Sequence, residues 1–235
     1  MNDPVRRLAI IPARGGSKRI PRKNIRPFCG RPMIAHILDT AQASGLFDVI
    51  HVSTEDQEIA DIVLQLGYPV RFMRPAHLAD DFIGTMPVLN HVVETFRKQG
   101  EMFTQIFSLL ACAPLIEPGD LVGGSRLFES LAGRHPVLAV APYPAPVEWA
   151  FDRQTNGMLV PRTPGAFAMR SQDLQTAYYD AGTFAIFSSS FITDHQDGTD
   201  VGFVGYPLSR DRAVDIDTIE DWEFTERLYL ARTGR

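Results

Sequence analysis

Cysteine is nearly absent from this chain. Cys29 and Cys112 are the two among 235 residues, too few and too far apart for a disulfide framework or a metal knuckle; reduced thiols in a cytoplasmic protein are the expectation. Long apolar runs are missing too. Nothing approaches the roughly 18 consecutive apolar residues of a membrane span, and no secretory apolar region follows the opening MNDPVRR. Excess positive charge is also lacking, because the net charge is −5. A phosphate-backbone binder carries a broad basic surface, so nucleic acid is not an expected partner. His36, His51, His77, His91, His135 and His195 are scattered, with neither an HxxxH pair nor a triad-like setting. Surface or core roles are expected of most of them. No internal repeat or low-complexity tract interrupts the chain, and with 45% hydrophobic content residues 1–235 read as one domain with a full core.

Apolar runs alternate with helical patterns as far as Ala141. Leu8–Ile11, Val49–Ser53, Tyr68–Met73, Gln105–Leu110 and Pro136–Ala141 read as strands. The spacing of Met33, Ile34, Ile37, Leu38 and Ala41 predicts a helix ending near Gly45, that of Ile59 to Leu66 a helix closed by Gly67, and that of Val88 to Phe96 and Asp120 to Leu131 two more. This alternation predicts βαβ units and an α/β fold with a largely parallel sheet. Residues 142–175 break the pattern: five prolines interrupt regular structure, yet Trp149, Phe151, Met158, Phe167 and Met169 are too apolar for a free linker. An extended arm packed against another surface is one account, and a β-excursion packed on its own domain the other. Regular structure returns at Tyr178–Phe187 and Phe203–Tyr206, with a last helix over Thr218–Ala231.

The stretch Leu8 to Asn24 reads LAIIPARGGSKRIPRKN. An apolar strand without alternation, as expected of one buried on both faces, runs into a turn with two glycines, a hydroxyl and five cations. Such a turn can converge amides and charge-assisted donors on phosphate oxygens, and ligands of open α/β sheets sit at the carboxyl ends of strands. A solvated basic loop is the plainer alternative. It is neither a Walker loop nor a dinucleotide fingerprint, because Gly15-Gly16-Ser17-Lys18 satisfies neither spacing. Far along the chain, Asp215 and Asp217 stand two residues apart. In an extended segment their side chains share one face, with Cα atoms about 6 to 7 Å apart. Paired carboxylates of this kind suit Mg²⁺, which takes one or two of them and completes its shell with water and substrate phosphates. Asp217 could instead cap the last helix, with Glu220 as its capping-box partner. A third motif, Arg74-Pro75-Ala76-His77-Leu78-Ala79-Asp80-Asp81, follows the predicted third strand.

Together these stretches resemble the sugar-activating cytidylyltransferases, and among them the enzymes that make CMP-linked nonulosonic acids. The family pattern ARxxSKxxxxKN is matched by Ala13, Arg14, Ser17, Lys18, Lys23 and Asn24; RPxxLxxD by Arg74, Pro75, Leu78 and Asp81; and the closing IDID-type segment by Val214–Asp217. The resemblance implies a Rossmann-like nucleotide-diphospho-sugar transferase fold: a mixed, mostly parallel sheet flanked by helices, with residues 142–175 as a protruding dimerisation arm of a homodimer. It implies CTP and a sugar acid as substrates and Mg²⁺ on Asp215 and Asp217. Arg14 and Lys23 then stabilise phosphate charge. Ala13, Gly15, Gly16, Ser17, Lys18, Asn24 and Arg74 complete the triphosphate site, Ile83 and Thr85 lie by the cytidine, and Asp81 orders its loop. Arg19 and Arg22 are left to solvate the rim.

The chain departs from sialate synthetases where it reads Leu110-Ala111-Cys112-Ala113-Pro114 and Tyr179-Asp180-Ala181-Gly182. Both segments look like those of pseudaminic acid cytidylyltransferases, and they make Tyr179 and Asp180 the candidate acceptor contacts. The expectation is CMP transfer from CTP to the anomeric hydroxyl of a nonulosonic acid, with pseudaminic acid ahead of N-acetylneuraminate, legionaminate or 3-deoxy-octulosonate. A nucleotide-binding module without catalysis is the reading from another class. No general base is evident, and Cys112 reads as a small packing residue.

Overall fold

A computed structural model describes residues 5–80, 82–195 and 202–234. The elements run β1 (Arg7–Pro12), β2 (Pro27–Phe28), β3 (Arg31–Pro32), α1 (Met33–Ser44), β4 (Val49–Ser53), α2 (Gln57–Gln65), α3 (Thr85–Lys98), β5 (Gln105–Leu109), α4 (Pro118–Ser130), β6 (Val137–Pro142), β7 (Phe151–Arg153), β8 (Leu159–Pro161), β9 (Tyr178–Ser188), α5 (Ser189–Asp194), β10 (Val204–Pro207) and α6 (Ile219–Thr233). Six strands form one sheet in the order β10-β6-β9-β5-β1-β4. β9 alone runs antiparallel to its neighbours β5 and β6, so the sheet is mixed and mostly parallel, as expected.

Two cores explain the unbroken apolar run of β1. Ala9 and Ile11 face the α1, α2 and α4 side, whereas Leu8 and Ile10 face Leu89, Val92 and Phe96 of α3; all four are fully buried. A strand so enclosed can offer a ligand only its end. A third, smaller cluster joins Ile20 of the loop after β1 to Cys112, Ile216 and Trp222 of α6. That apolar contact is what brings the opening motif and the closing motif, almost 200 residues apart by their numbers, to one place.

The expected strand over Tyr68–Met73 does not form. Pro69 has no N–H to give a ladder, and the alternating Tyr68, Val70 and Phe72 bury their side chains against the cores without strand pairing. β4 is therefore the edge of the sheet, and Arg74 is tied to it by its own amide, which donates to the Thr54 carbonyl at 2.8 Å. Residues 142–175 hold the β7–β8 hairpin, in register Phe151 to Pro161, and three 3₁₀ turns. Met158, Leu159 and Phe167 there are more than half exposed. Asp81, expected to order its loop, lies outside the described residues. Among the described residues no helix is long and apolar enough to cross a membrane.

Candidate active site

The loop leaving β1 is pinned from behind. Ala13 is fully buried and its amide donates to the Ser53 carbonyl at 2.9 Å, while the Asn24 amide group donates to the Arg14 carbonyl at 2.9 Å and closes the loop on itself. Gly15 is required by crowding: a Cβ there would lie 2.1 Å from Asp56 Oδ2. Its amide donates to Glu55 Oε1 at 2.8 Å, so a carboxylate occupies the donor that the sequence suggested for a phosphate. Arg22 is also engaged away from the loop's mouth, held by both oxygens of Asp56 and by Glu58.

In front of this loop lies a cavity of about 310 Å³. Arg14, Ser17, Lys18, Lys23, Asn24, Arg74, Ile83 and Thr85 line it together with Asp215. Arg19 adds a fifth cation to Arg14, Lys18, Lys23 and Arg74, against Asp80 and Asp215 as the carboxylates of the lining. Three of these cations are held by carboxylates outside the lining, Arg74 by Glu55 and Arg19 and Lys23 by Asp217, so the cavity presents cationic groups already fixed in place, which suits a small anion. Arg74 has a side chain only 4% exposed and pairs with Glu55 Oε2 at 2.8 Å. Burial holds its pKa below the ordinary arginine value and nearby Arg14 acts in the same sense, opposed by Glu55. Ala13, Gly15, Gly16 and Asp217 stand outside the lining, the first two held as described above.

The acidic side is built by the segment leading into α6 and by β9. Asp217 does not cap the last helix: Thr218 accepts the Asp221 amide and Asp221 answers as the capping-box partner. The Asp217 carboxylate instead meets Arg19 at 2.7 Å and the Lys23 ammonium at 3.7 Å, while Lys23 donates to the Ile216 carbonyl at 2.5 Å. Arg19, about two-thirds exposed at its side chain, makes this pair from the rim. Asp215 nestles against Gly182, where φ is +60° and a Cβ would come within 2.9 Å of the Asp215 carboxyl carbon. Burial first, then the neighbouring charges of Asp217 and Asp180, push the Asp215 carboxyl above the ordinary carboxylate range, with Lys23 and Arg19 opposing. Crowded acidic groups of this kind fit a divalent cation that brings other ligands with it. Among the described residues no group of three or more His, Cys, Asp or Glu is disposed to hold a metal.

A second cavity of about 220 Å³ shares Thr85, Ser108 and Leu110 with the first. Its wall is aromatic, from Phe184, Phe187, Phe191 and Phe203, with Asp180 and Thr183 as polar points. The Thr183 hydroxyl is buried without a hydrogen-bond partner. Tyr179, on the opposite face of β9, packs edge-on to Tyr143 at 5.1 Å and lines neither cavity. Cys112 is a buried lining residue whose thiol is pushed up to about 12 by burial, which suits packing and not nucleophilic attack. Sequence reasoning passed over Glu55, Ser108 and Thr183. Glu55 had a signal, as a carboxylate directly after the second predicted strand at its carboxyl end; the other two are ordinary strand residues by type.

Comparison with known proteins bears on the family. The model of a family described as Cytidylyltransferase matches residues 8–118. A pseudaminic acid cytidylyltransferase of Campylobacter jejuni is 34% identical over 225 residues, covering 96% of this chain and 97% of that protein. A CMP-N,N'-diacetyllegionaminic acid synthase of Legionella pneumophila is 30% identical, covering 95% of this chain and 96% of that protein. Among solved structures, a CMP:2-keto-3-deoxy-manno-octonic acid synthetase complexed with CTP superimposes with a TM-score of 0.72 at 16% identity, covering 97% and 99% of the two chains, a likeness of fold. With relatives of this identity along almost its whole length, the chain belongs to the cytidylyltransferase family.

Proposed function

We propose that this enzyme transfers CMP from CTP to the anomeric hydroxyl of a nonulosonic acid, pseudaminic acid, releasing pyrophosphate. The observation that carries the reading is the full-length likeness to a pseudaminic acid cytidylyltransferase combined with a five-cation cavity at the end of β1. In the reaction the anomeric oxygen bonds to the α-phosphorus, the bond from that phosphorus to the oxygen bridging it to the β-phosphorus breaks with that oxygen leaving on pyrophosphate, and the hydroxyl proton passes to solvent water. Positioning and charge neutralisation do most of such catalysis. Arg14, Ser17, Lys18 and Arg74 hold the triphosphate, with Ile83 and Thr85 beside the nucleoside. Lys23, fixed by the Ile216 carbonyl, faces the charge that develops on the α-phosphate and departing pyrophosphate. Asp215 and Asp217 are the residues to hold Mg²⁺, whose chemistry when bound is charge neutralisation on phosphate oxygens.

The second cavity is assigned to the acceptor. Its shared wall at Thr85, Ser108 and Leu110 puts an occupant next to the nucleotide. Asp180 and Thr183 offer hydrogen bonds to sugar hydroxyls or amides, and the phenylalanines suit the methyl groups of acylamido and deoxy positions better than a polyhydroxyl chain. The exposure of Met158, Leu159 and Val160 in the β7–β8 hairpin supports residues 142–175 as the dimerisation arm of a homodimer.

Pyrophosphate release from CTP in the presence of pseudaminic acid tests this reading. Asp217→Asn is expected to abolish release while circular dichroism stays native, and a near-normal Mg²⁺-dependent rate in that variant removes the metal assignment. Lys23→Ala is expected to lower kcat about a hundredfold, the usual cost of one electrostatic donor. A variant that is merely less stable makes Lys23 structural.

A further inference from the structure

Glu55 joins two parts of the cavity that come from different segments of the chain. One of its oxygens accepts the Gly15 amide of the loop after β1 at 2.8 Å, and the other accepts from the Arg74 guanidinium at 2.8 Å. Among the described residues Glu55 is the carboxylate that pairs with Arg74. The arginine side chain is almost wholly buried, its Nε has no partner, and Arg14 opposes its charge from the cavity side. Two guanidinium groups lining one space repel each other. Something behind Arg74 must keep it there, and the carboxylate in contact with it is Glu55, itself four-fifths buried at the side chain. The backbone helps on one side only, through the Arg74 amide to the Thr54 carbonyl.

We infer that Glu55 is a positioning residue for nucleotide binding: it sets the distance between the loop after β1 and Arg74, and orients the guanidinium toward the phosphates without touching them. This inference rests on the reading of the larger cavity as the CTP site. Two bonds from one carboxylate make a geometric constraint that neither Arg74 nor Gly15 supplies alone. Glutamine keeps an oxygen for one donor but loses the negative charge opposite Arg74 and turns the second acceptor into a donor. Alanine loses both bonds.

The test is a double-mutant cycle on the full-length protein, with the Kd for CTP measured by calorimetry in Mg²⁺ and kcat and KM for CTP by pyrophosphate release. Arg74→Ala and Glu55→Ala are each expected to raise Kd and KM for CTP about tenfold, with a smaller change in kcat. Glu55→Gln is expected to fall between wild type and Glu55→Ala. The double variant is expected to lose less CTP affinity than the two single losses combined, because Glu55 and Arg74 act as one unit; fully additive losses would overturn the inference. If Glu55→Ala and Glu55→Gln bind CTP as wild type while Arg74→Ala is impaired, Glu55 is not a positioning residue. If Arg74→Ala itself binds CTP as wild type, the nucleotide reading of the cavity fails instead. Should Glu55→Ala not fold, Glu55→Gln and its double variant with Arg74→Ala decide on the same criteria.

Discussion

The buried histidine of β4 makes a pH dependence that can be calculated. His51 is 1% exposed, its ring stacked on Phe72 at 4.3 Å and edge-on to Phe96 at 5.5 Å, and neither ring nitrogen has a hydrogen-bond partner. Burial, followed by the charges of Arg71 and His91, lowers its pKa from 6.5 to about 3. The folded state thus keeps the ring neutral where the unfolded chain protonates it. For a depressed histidine the stability is fully present above about pH 6.5 and is lost as pH falls toward 3. Between pH 8 and pH 5 the loss from this one group is about 2 kcal/mol, a sizeable part of the roughly 5–15 kcal/mol that holds a domain together. His51→Leu removes the titration and both unpaired nitrogens. Urea unfolding of both proteins at pH 8 and pH 5 measures the difference. The wild type is expected to lose about 2 kcal/mol more than the variant over that interval, and parallel losses would refute the argument.

Two other expectations concern the site. Gly182→Ala puts a Cβ against Asp215 at a left-handed backbone position, which costs about 1–2 kcal/mol of stability and shifts the carboxylate. Turnover is expected to fall at least about tenfold, the response to displacing a positioned group by a fraction of an ångström; full activity would mean that the seat of Asp215 is not critical. The Cys112 thiol, pushed up to about 12, is a thiolate in only about one molecule in ten thousand at pH 8. A thiol reagent is therefore expected to titrate Cys29 alone in the native protein and both cysteines in urea, and rapid native modification of Cys112 would contradict its assignment as a packing residue.

The parallel part of the fold was legible because its signals are local. Leu8–Ile11 has no alternation, and a strand enclosed by helices on both faces needs none. Gly45, in the left-handed conformation, ends α1 where the sequence stops being periodic. Tyr68–Met73 misled because alternating apolar residues satisfy burial whether or not a neighbouring strand exists, and Pro69 decided the matter by what it cannot donate. The motif residues Arg14, Lys18, Lys23, Arg74 and Asp215 meet around one cavity. Their individual partners could not be read, because they depend on contacts across the fold. The Ile20–Ile216–Trp222 cluster delivers the Asp217 carboxylate to Arg19, and the same kind of long-range packing gives Gly15 to Glu55. The choice between Asp217 and Thr218 as helix cap was a local competition between neighbouring residues, and the Thr218–Asp221 box won it.

The central claim is CMP transfer to pseudaminic acid, and competition between acceptors addresses it most directly. Enzyme, CTP and Mg²⁺ are mixed with equal concentrations of pseudaminic acid, legionaminic acid, N-acetylneuraminic acid and 3-deoxy-octulosonic acid, and the CMP-sugars are separated and identified by mass and retention against standards. The expected result is CMP-pseudaminic acid as the main early product. Predominance of another CMP-sugar, or pyrophosphate-free CTP binding with no CMP-sugar at all, would contradict the account.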